Sequence, residues 1–135
     1  MTSNDAPILM YVEDEAMVAI VGQMALEEAG FAVDHVLSGR AAIRALDGKS
    51  AAYCALVTDV RLPEVDGWNI ARHARELRPT LPVVYVSGDS AAEWSSQGVP
   101  GSIMVQKPFA NAQLIAAVTT LLNQTGPVSP LPDGT

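Results

Sequence analysis

Four apolar runs in this chain each lead into residues able to do chemistry. Ile8-Leu9-Met10-Tyr11-Val12 runs into Glu13, Asp14 and Glu15, and Ala55-Leu56-Val57-Thr58 runs into Asp59. Pro82-Val83-Val84-Tyr85-Val86 runs into Ser87, and Ile103-Met104-Val105 is followed one residue later by Lys107 and Pro108. Adjacent carboxylates repel, and more strongly beside a low-dielectric interior than in water. Acids placed side by side at the end of a buried run are therefore either solvated or matched to a cation. If the runs ending at Val12 and Thr58 are neighbouring strands, Glu13, Asp14 and Asp59 converge, with Ser87 and Lys107 at the flanks. Hard oxygen ligands that leave coordination positions open suit Mg²⁺. A carboxylate nucleophile, a divalent cation, an ammonium and a hydroxyl together make a phosphoryl-transfer site.

Taken singly, each residue has an ordinary explanation. Acids at a strand–helix junction stabilise the helix N-terminus. Asp59 could cap a loop, Ser87 could sit in a turn, and Lys107 could be a surface lysine. The joint pattern carries the assignment: an acid pair after the first run, an acid after the second, a hydroxyl after the third and Lys-Pro after the fourth.

The elements that must position these groups alternate along the chain. Asp14 is expected to cap a helix running to about Ala29, with Met17, Ile20, Val21, Met24 and Leu26 near helical spacing and Gly30 as its stop. Phe31 to Val36 reads as a second strand. Ser38 is the expected N-cap of a helix over Arg40 to Leu46, ended near Gly48. After the third strand and Asp59, the loop RLPEVDG carries proline and glycine turn signals. Trp68 to Arg78 reads as a helix with Ile70, Ala71, Ala74 and Leu77 on one side, and Pro79 ends it. A weak helix is expected around Ala91 to Gln97. Asn111 is expected to cap a last helix through about Leu122. Residues 7–123 form one domain in this reading, and 124–135, with three prolines and two glycines, read as a disordered tail. Short apolar strands alternating with helices imply an α/β fold: a doubly wound, five-stranded parallel sheet with helices on both faces. Ligands bind beyond the carboxyl ends of such strands.

Composition narrows the class. A chain of 135 residues, 49% apolar and 17% charged, is long enough to bury a core. A formal net charge of −7 argues against a nucleic-acid surface, which needs an excess of Lys and Arg. The single cysteine, Cys54, excludes an internal disulfide framework. No apolar run reaches the length of a membrane span and no secretory signal is visible, so a cytoplasmic protein is expected.

With VEDE, LVTDVRLPEVDGW, VVYVSG and QKPF in this order, the chain resembles the receiver domain of bacterial two-component response regulators, the CheY-like family, over about residues 7–123. The resemblance implies the strand order 2-1-3-4-5. It implies that Asp59 accepts a phosphoryl group from a phosphohistidine of a sensor histidine kinase or histidine phosphotransfer protein. Asp14, Asp59 and the backbone carbonyl of Arg61 would bind Mg²⁺, with Glu13 acting mainly through metal-bound water. Ser87 would hydrogen-bond the phosphoryl group and Lys107 would pair with it. A cis Lys107-Pro108 bond is implied as well. Many receivers carry an aromatic residue three positions before the lysine; here that position is Met104, which puts the usual hydroxyl–aromatic relay in doubt. YVSG and the missing aromatic resemble, more distantly, the FAT GUY subgroup of single-domain receivers.

Several other residues have specific expectations. Tyr85 shares a sheet face with Ser87 by alternation and reads as core packing. Arg61 and Asp89, each two residues after a site residue, are expected to overhang the cavity mouth and pair, limiting water access to an acyl phosphate. Trp68 reads as packing, and Trp94 as a partner anchor or a core residue. His35 and His73 read as surface histidines away from the site. The expected protein is a stand-alone, Mg²⁺-dependent phosphoacceptor receiver and not an enzyme beyond gaining and losing its own phosphoryl group. Its output would be a changed protein-binding face on the fourth helix, fifth strand and fifth helix, or onward relay or sinking of phosphoryl. The rival readings are a Mg²⁺-dependent phosphohydrolase with an aspartyl-phosphate intermediate, a flavodoxin and a phosphorylation-independent adaptor. Asp59-Val60-Arg61 lacks the second acid of the hydrolases' D-x-D pattern, and no Ser/Thr-rich phosphate loop follows the first strand.

Overall fold

In the computed structural model, which describes residues 7–125, strands and helices alternate throughout. The strands are β1 (Ile8–Val12), β2 (Ala32–Val36), β3 (Tyr53–Asp59), β4 (Val83–Ser87) and β5 (Ile103–Gln106). The helices are α1 (Ala16–Glu28), α2 (Gly39–Lys49), α3 (Gly67–Leu77), α4 (Trp94–Gln97) and α5 (Asn111–Thr125). The strands pair in parallel in the order β2-β1-β3-β4-β5, the doubly wound fold expected from the alternation.

The central strands read as continuous apolar runs because both of their faces are covered. Along β1, Met10 and Val12 join a core layer with Leu46 of α2 and Ile70, Ala71 and Ala74 of α3. Leu9 and Tyr11 point the other way, into a layer with Ala19 and Leu26 of α1 and Leu114, Val118 and Leu121 of α5. Local chemistry sets the helix ends. Ser38 Oγ accepts from Ala41 N–H at 3.1 Å, and Asp66 Oδ1 accepts from Asn69 N–H at 3.0 Å. Gly30 takes φ +105°, a left-handed value that suits glycine just past a helix.

Several elements depart from the sequence-based expectation. Asp14 does not cap α1. Glu15 occupies that position and makes no side-chain cap bond. Asp14 lies instead, exposed, beside the other acids beyond the strand ends. The helical stripe of Met17, Ile20, Val21 and Met24 faces solvent, and α1 packs on the sheet through Ala19, Gly22, Ala25 and Leu26. Small residues let the helix sit close to the sheet, so the larger ones are left on the outside. Leu77 of α3 is exposed rather than buried. Asn111 is already helical, and Gln113 Oε1 accepts from Ala110 N–H at 2.7 Å at that end. The weak helix expected over 91–97 is a 3₁₀ turn (Ala91–Glu93) followed by the single turn of α4, neither with a buried residue. Helix α5 continues past Leu122 to Thr125, and the tail expected over 124–135 lies, from residue 126 on, outside the described residues.

Gly67 fixes the exit of β3. Its N–H donates to Val60 O at 2.9 Å, and a Cβ here would collide with the carbonyl oxygen of Asp59. Helix α3 can therefore start directly against the backbone of Asp59 only with glycine at this position. Gly67→Ala is expected to lower unfolding free energy by about 1–3 kcal/mol, measured by urea denaturation; a wild-type midpoint would show that the contact is easily relieved.

Candidate functional site

Strand register brings the expected groups into one row. Val12 lies opposite Thr58, so Glu13 and Asp14 leave β1 beside Asp59. Asp59 lies opposite Val86, so Ser87 is one residue further along β4, and Ser87 lies opposite Gln106, so Lys107 follows on β5. Lys107 N–H donates to Ser87 O at 2.7 Å and continues the ladder past the last paired residue. A cavity of about 430 Å³ opens over this row, with Asp14, Asp59, Arg61, Ser87 and Lys107 in its wall. Glu13, Asp14 and Asp59 each offer a carboxylate oxygen within 4.8 Å of the others.

Lys107 bridges the cluster. Its Nζ donates to Glu13 Oε1 at 2.9 Å and to Asp59 Oδ2 at 3.2 Å. Glu13 is buried, and its Oε2 accepts from Glu15 N–H at 3.1 Å. Burial, and after it the charge of Glu13, push the Asp59 carboxyl up to about 6, against the pull of Lys107. Burial works against the Lys107 ammonium, but its hydrogen bonds and the charges of Glu13 and Asp59 outweigh that and hold it above the usual lysine value. One ammonium thus bridges two of the three carboxylates, and the cluster remains short of positive charge. Oxygen donors that are part buried (Glu13, Asp59) and part exposed (Asp14) fit a hard divalent cation that keeps some of its water.

The neighbouring residues complete the wall. Ser87 is buried, and its Oγ accepts from Asp89 N–H at 3.2 Å and Ser90 N–H at 2.7 Å, which leaves the hydroxyl proton to donate. Arg61 and Asp89 pair across the cavity mouth: Nε lies 2.9 Å from Oδ1 and 2.8 Å from Oδ2. The guanidinium hydrogen bond and that of Ser90 hold the Asp89 carboxyl below its usual range. The Lys107-Pro108 peptide is cis. Tyr85 packs on Trp68 with ring centroids 4.6 Å apart, and its hydroxyl accepts from Val99 N–H at 3.0 Å. Trp68 is buried and Trp94 is 37% exposed, with Nε1–H donating to Ser102 Oγ at 2.9 Å.

His35 corrects the sequence reading. It is not a surface residue away from the site: its Nε2 lies 2.8 Å from the carbonyl oxygen of Glu13, to which it must donate. Beside Tyr11 on β1, it fixes the backbone at the start of the acid pair. Its place one residue before the carboxyl end of β2 was the available signal. His73 lies elsewhere, paired with Asp47 at 2.6 Å.

The fold and this arrangement define a receiver, and comparison with known proteins agrees. Residues 9–119 match the family described as the response regulator receiver domain, and the chain belongs to that family. The crystal structure of a response regulator receiver protein from Sinorhizobium medicae WSM419 is 46% identical, with a TM-score of 0.85 over 89% of this chain and 97% of that one. The response regulator receiver protein CpdR of Brucella abortus is 31% identical over 100 residues, 73% of this chain and 82% of its own. The receiver domain of the sensor histidine kinase PA1611 from Pseudomonas aeruginosa PAO1, whose structure has a magnesium ion coordinated in the active site cleft, shares the fold. It has a TM-score of 0.77 at 22% identity over 87% of this chain and 98% of that one. The chain spans about half the length of the transcriptional regulators it matches, 51% and 47% for two of them. Among the described residues no helix is long and apolar enough to cross a membrane.

The raised Asp59 carboxyl has a defined effect on stability. Folded near 6 and unfolded near the usual value of about 3.9, it binds a proton more tightly in the folded chain. Stability is then lost as pH rises through the folded value. In EDTA, Asp59→Asn is therefore expected to melt higher than wild type at about pH 7.5, with the gap roughly halved at about pH 5 and closing toward about pH 4. Thermal unfolding at these pH values measures this, and a gap independent of pH would contradict the crowding of charge.

Proposed function

We propose that this receiver takes a phosphoryl group on Asp59 from a phosphohistidine. The observation that carries the reading is the meeting of Glu13, Asp14 and Asp59, with one ammonium bridging Glu13 and Asp59, beside a buried serine hydroxyl whose proton is uncommitted. An Asp59 oxygen forms the new P–O bond as the donor's P–N bond breaks, and the imidazole leaves with its electron pair. Lys107 faces the reacting carboxylate and balances charge on the transferred group. Ser87 donates its free proton to a phosphoryl oxygen. Mg²⁺ held by Asp14, Asp59 and the Arg61 carbonyl, with Glu13 acting through water, would supply the remaining positive charge. The magnesium-bearing cleft of the PA1611 receiver supports that choice of ion.

The exposed stripe of α1 suits a donor protein. Met17 is 79% exposed, and Ile20, Val21 and Met24 continue the stripe at i, i+3, i+4 and i+7. Met17 and Val21 share an apolar groove of about 600 Å³ with Pro108, Phe109 and Lys107, so the stripe runs up to the site itself. Asp14 and Glu15 lie at one end of α1, and Glu27 and Glu28 at the other. An antiparallel second copy would set acid against acid. A donor helix with an apolar stripe and basic ends fits. Signal output is assigned to a separate face, on α4, β5 and α5, where Trp94 is an exposed aromatic anchor.

Incubation with acetyl phosphate and Mg²⁺ followed by intact mass is expected to give one phosphoryl adduct that is absent in Asp59→Asn. A wild-type chain without adduct would overturn the reading, and steady turnover of a phosphomonoester would point to a hydrolase. The double variant Ile20→Gln/Met24→Gln is expected to slow phosphotransfer from a donor protein at least several-fold while labelling by acetyl phosphate keeps its rate. Equal loss with both donors would refute the docking face.

A further inference from the structure

The resting charges around the site leave one cation spent on the wrong partner. Among the described residues in the cavity wall, the cations are Lys107 and Arg61. Lys107 is committed between Glu13 and Asp59. Arg61 is committed to Asp89, a rim carboxylate that does no chemistry in the proposed reaction. Conversion of the Asp59 carboxylate into an acyl phosphate replaces a single negative charge by nearly two. The extra charge enters a cavity whose other cation is already shared.

We propose that Arg61 is a positioning residue for the phosphoryl group, held by Asp89 in the resting state and exchanging that carboxylate for phosphoryl oxygens when Asp59 is modified. This rests on Asp59 being the acceptor. The exchange costs little, because the two side chains are 74% and 58% exposed and such pairs are weak. The gain is larger, because a guanidinium fork matches a phosphoryl group and the cavity is better screened from water than its rim.

Release of Asp89 does not stay local. Ser90 Oγ donates to Asp89 Oδ1 at 3.1 Å, and the backbone N–H groups of Asp89 and Ser90 both donate to Ser87 Oγ. Arg61, Asp89, Ser90 and Ser87 thus form one hydrogen-bonded chain across the head of the segment leading to α4. Ser87 meets the phosphoryl group at one end of this chain and Arg61 meets it at the other. Arg61 therefore exchanges a partner as Ser87 gains one, and the Asp89 tie at the head of the α4 segment is let go. A switch of this kind uses no aromatic residue at position 104.

The test is binding of beryllium fluoride, an acyl-phosphate mimic, to the full chain in excess MgCl₂, read by the ¹⁹F signal of the bound adduct. Arg61→Gln is expected to weaken apparent affinity about three- to fivefold, and Asp89→Asn, which frees Arg61, to tighten it by a similar factor. The double variant should follow Arg61→Gln, since Asp89 matters only through the arginine. Amide exchange at Asp89 and Ser90 should speed up in the wild-type adduct. Single substitutions that shift affinity in the same direction or not at all, or unchanged exchange at both amides, overturn the partner exchange. A wild-type chain that binds no mimic brings down the acceptor reading itself, a separate outcome.

Discussion

A single ammonium group on an edge strand holds the site together. Lys107 leaves β5 and reaches past Ser87 to Asp59 on β3 and Glu13 beyond β1. Without it, Glu13 would be a buried carboxylate with no counter-ion, a costly arrangement for any fold. With it, the cluster is tolerable but still crowded, and the crowding appears in the raised Asp59 carboxyl. The site is thus in deficit of positive charge at rest. The divalent cation proposed for the site would stabilise what the protein alone leaves strained, and the same deficit makes the cavity responsive to any further change of charge.

The sheet exists, in functional terms, to keep that deficit in register. Parallel pairing sets the carboxyl ends of β1, β3, β4 and β5 in one line, so groups distant in sequence become neighbours. The two core layers keep the strands from slipping, because a one-residue shift would turn Met10 and Leu9 to the wrong faces. Gly67 then lets α3 begin against the Asp59 carbonyl, and His35 fixes the Glu13 carbonyl from the other side. Backbone atoms of both key acids are therefore in contact with neighbours, and their side chains meet at Lys107.

Much of this was legible in the residues. The central strands announce themselves as unbroken apolar runs, and each ends in the group it contributes, so Glu13, Asp14, Asp59, Ser87 and Lys107 could be placed together before any coordinates. Other features were not. The α1 pattern Met17, Ile20, Val21, Met24 has helical spacing whether it faces in or out, and periodicity alone does not choose. Packing chose Ala19, Gly22 and Ala25, whose small side chains permit close approach. Asp14 looked like a cap because acids favour helix starts, but convergence with its neighbours prevailed. His35 was missed because its partner is a backbone carbonyl, and carbonyls leave no mark on a sequence. The Arg61–Asp89 pair could be guessed from spacing, yet the serines wired to it emerged only from the fold.

The single turn of α4 has a consequence of its own. With no buried side chain in it or in the 3₁₀ turn before it, this stretch is fastened by a few polar ties: Arg72 to the Gln97 carbonyl, Tyr85 to Val99, and Trp94 to Ser102. Such a stretch opens independently of the sheet, at a small fraction of the global unfolding free energy. Its composition is therefore decoupled from the requirement to fold. Substitutions between residues 91 and 98 can alter which surface is displayed, and for how long, while the rest of the architecture stays intact. The least anchored part of the molecule is where a lineage can diversify its downstream vocabulary at low risk.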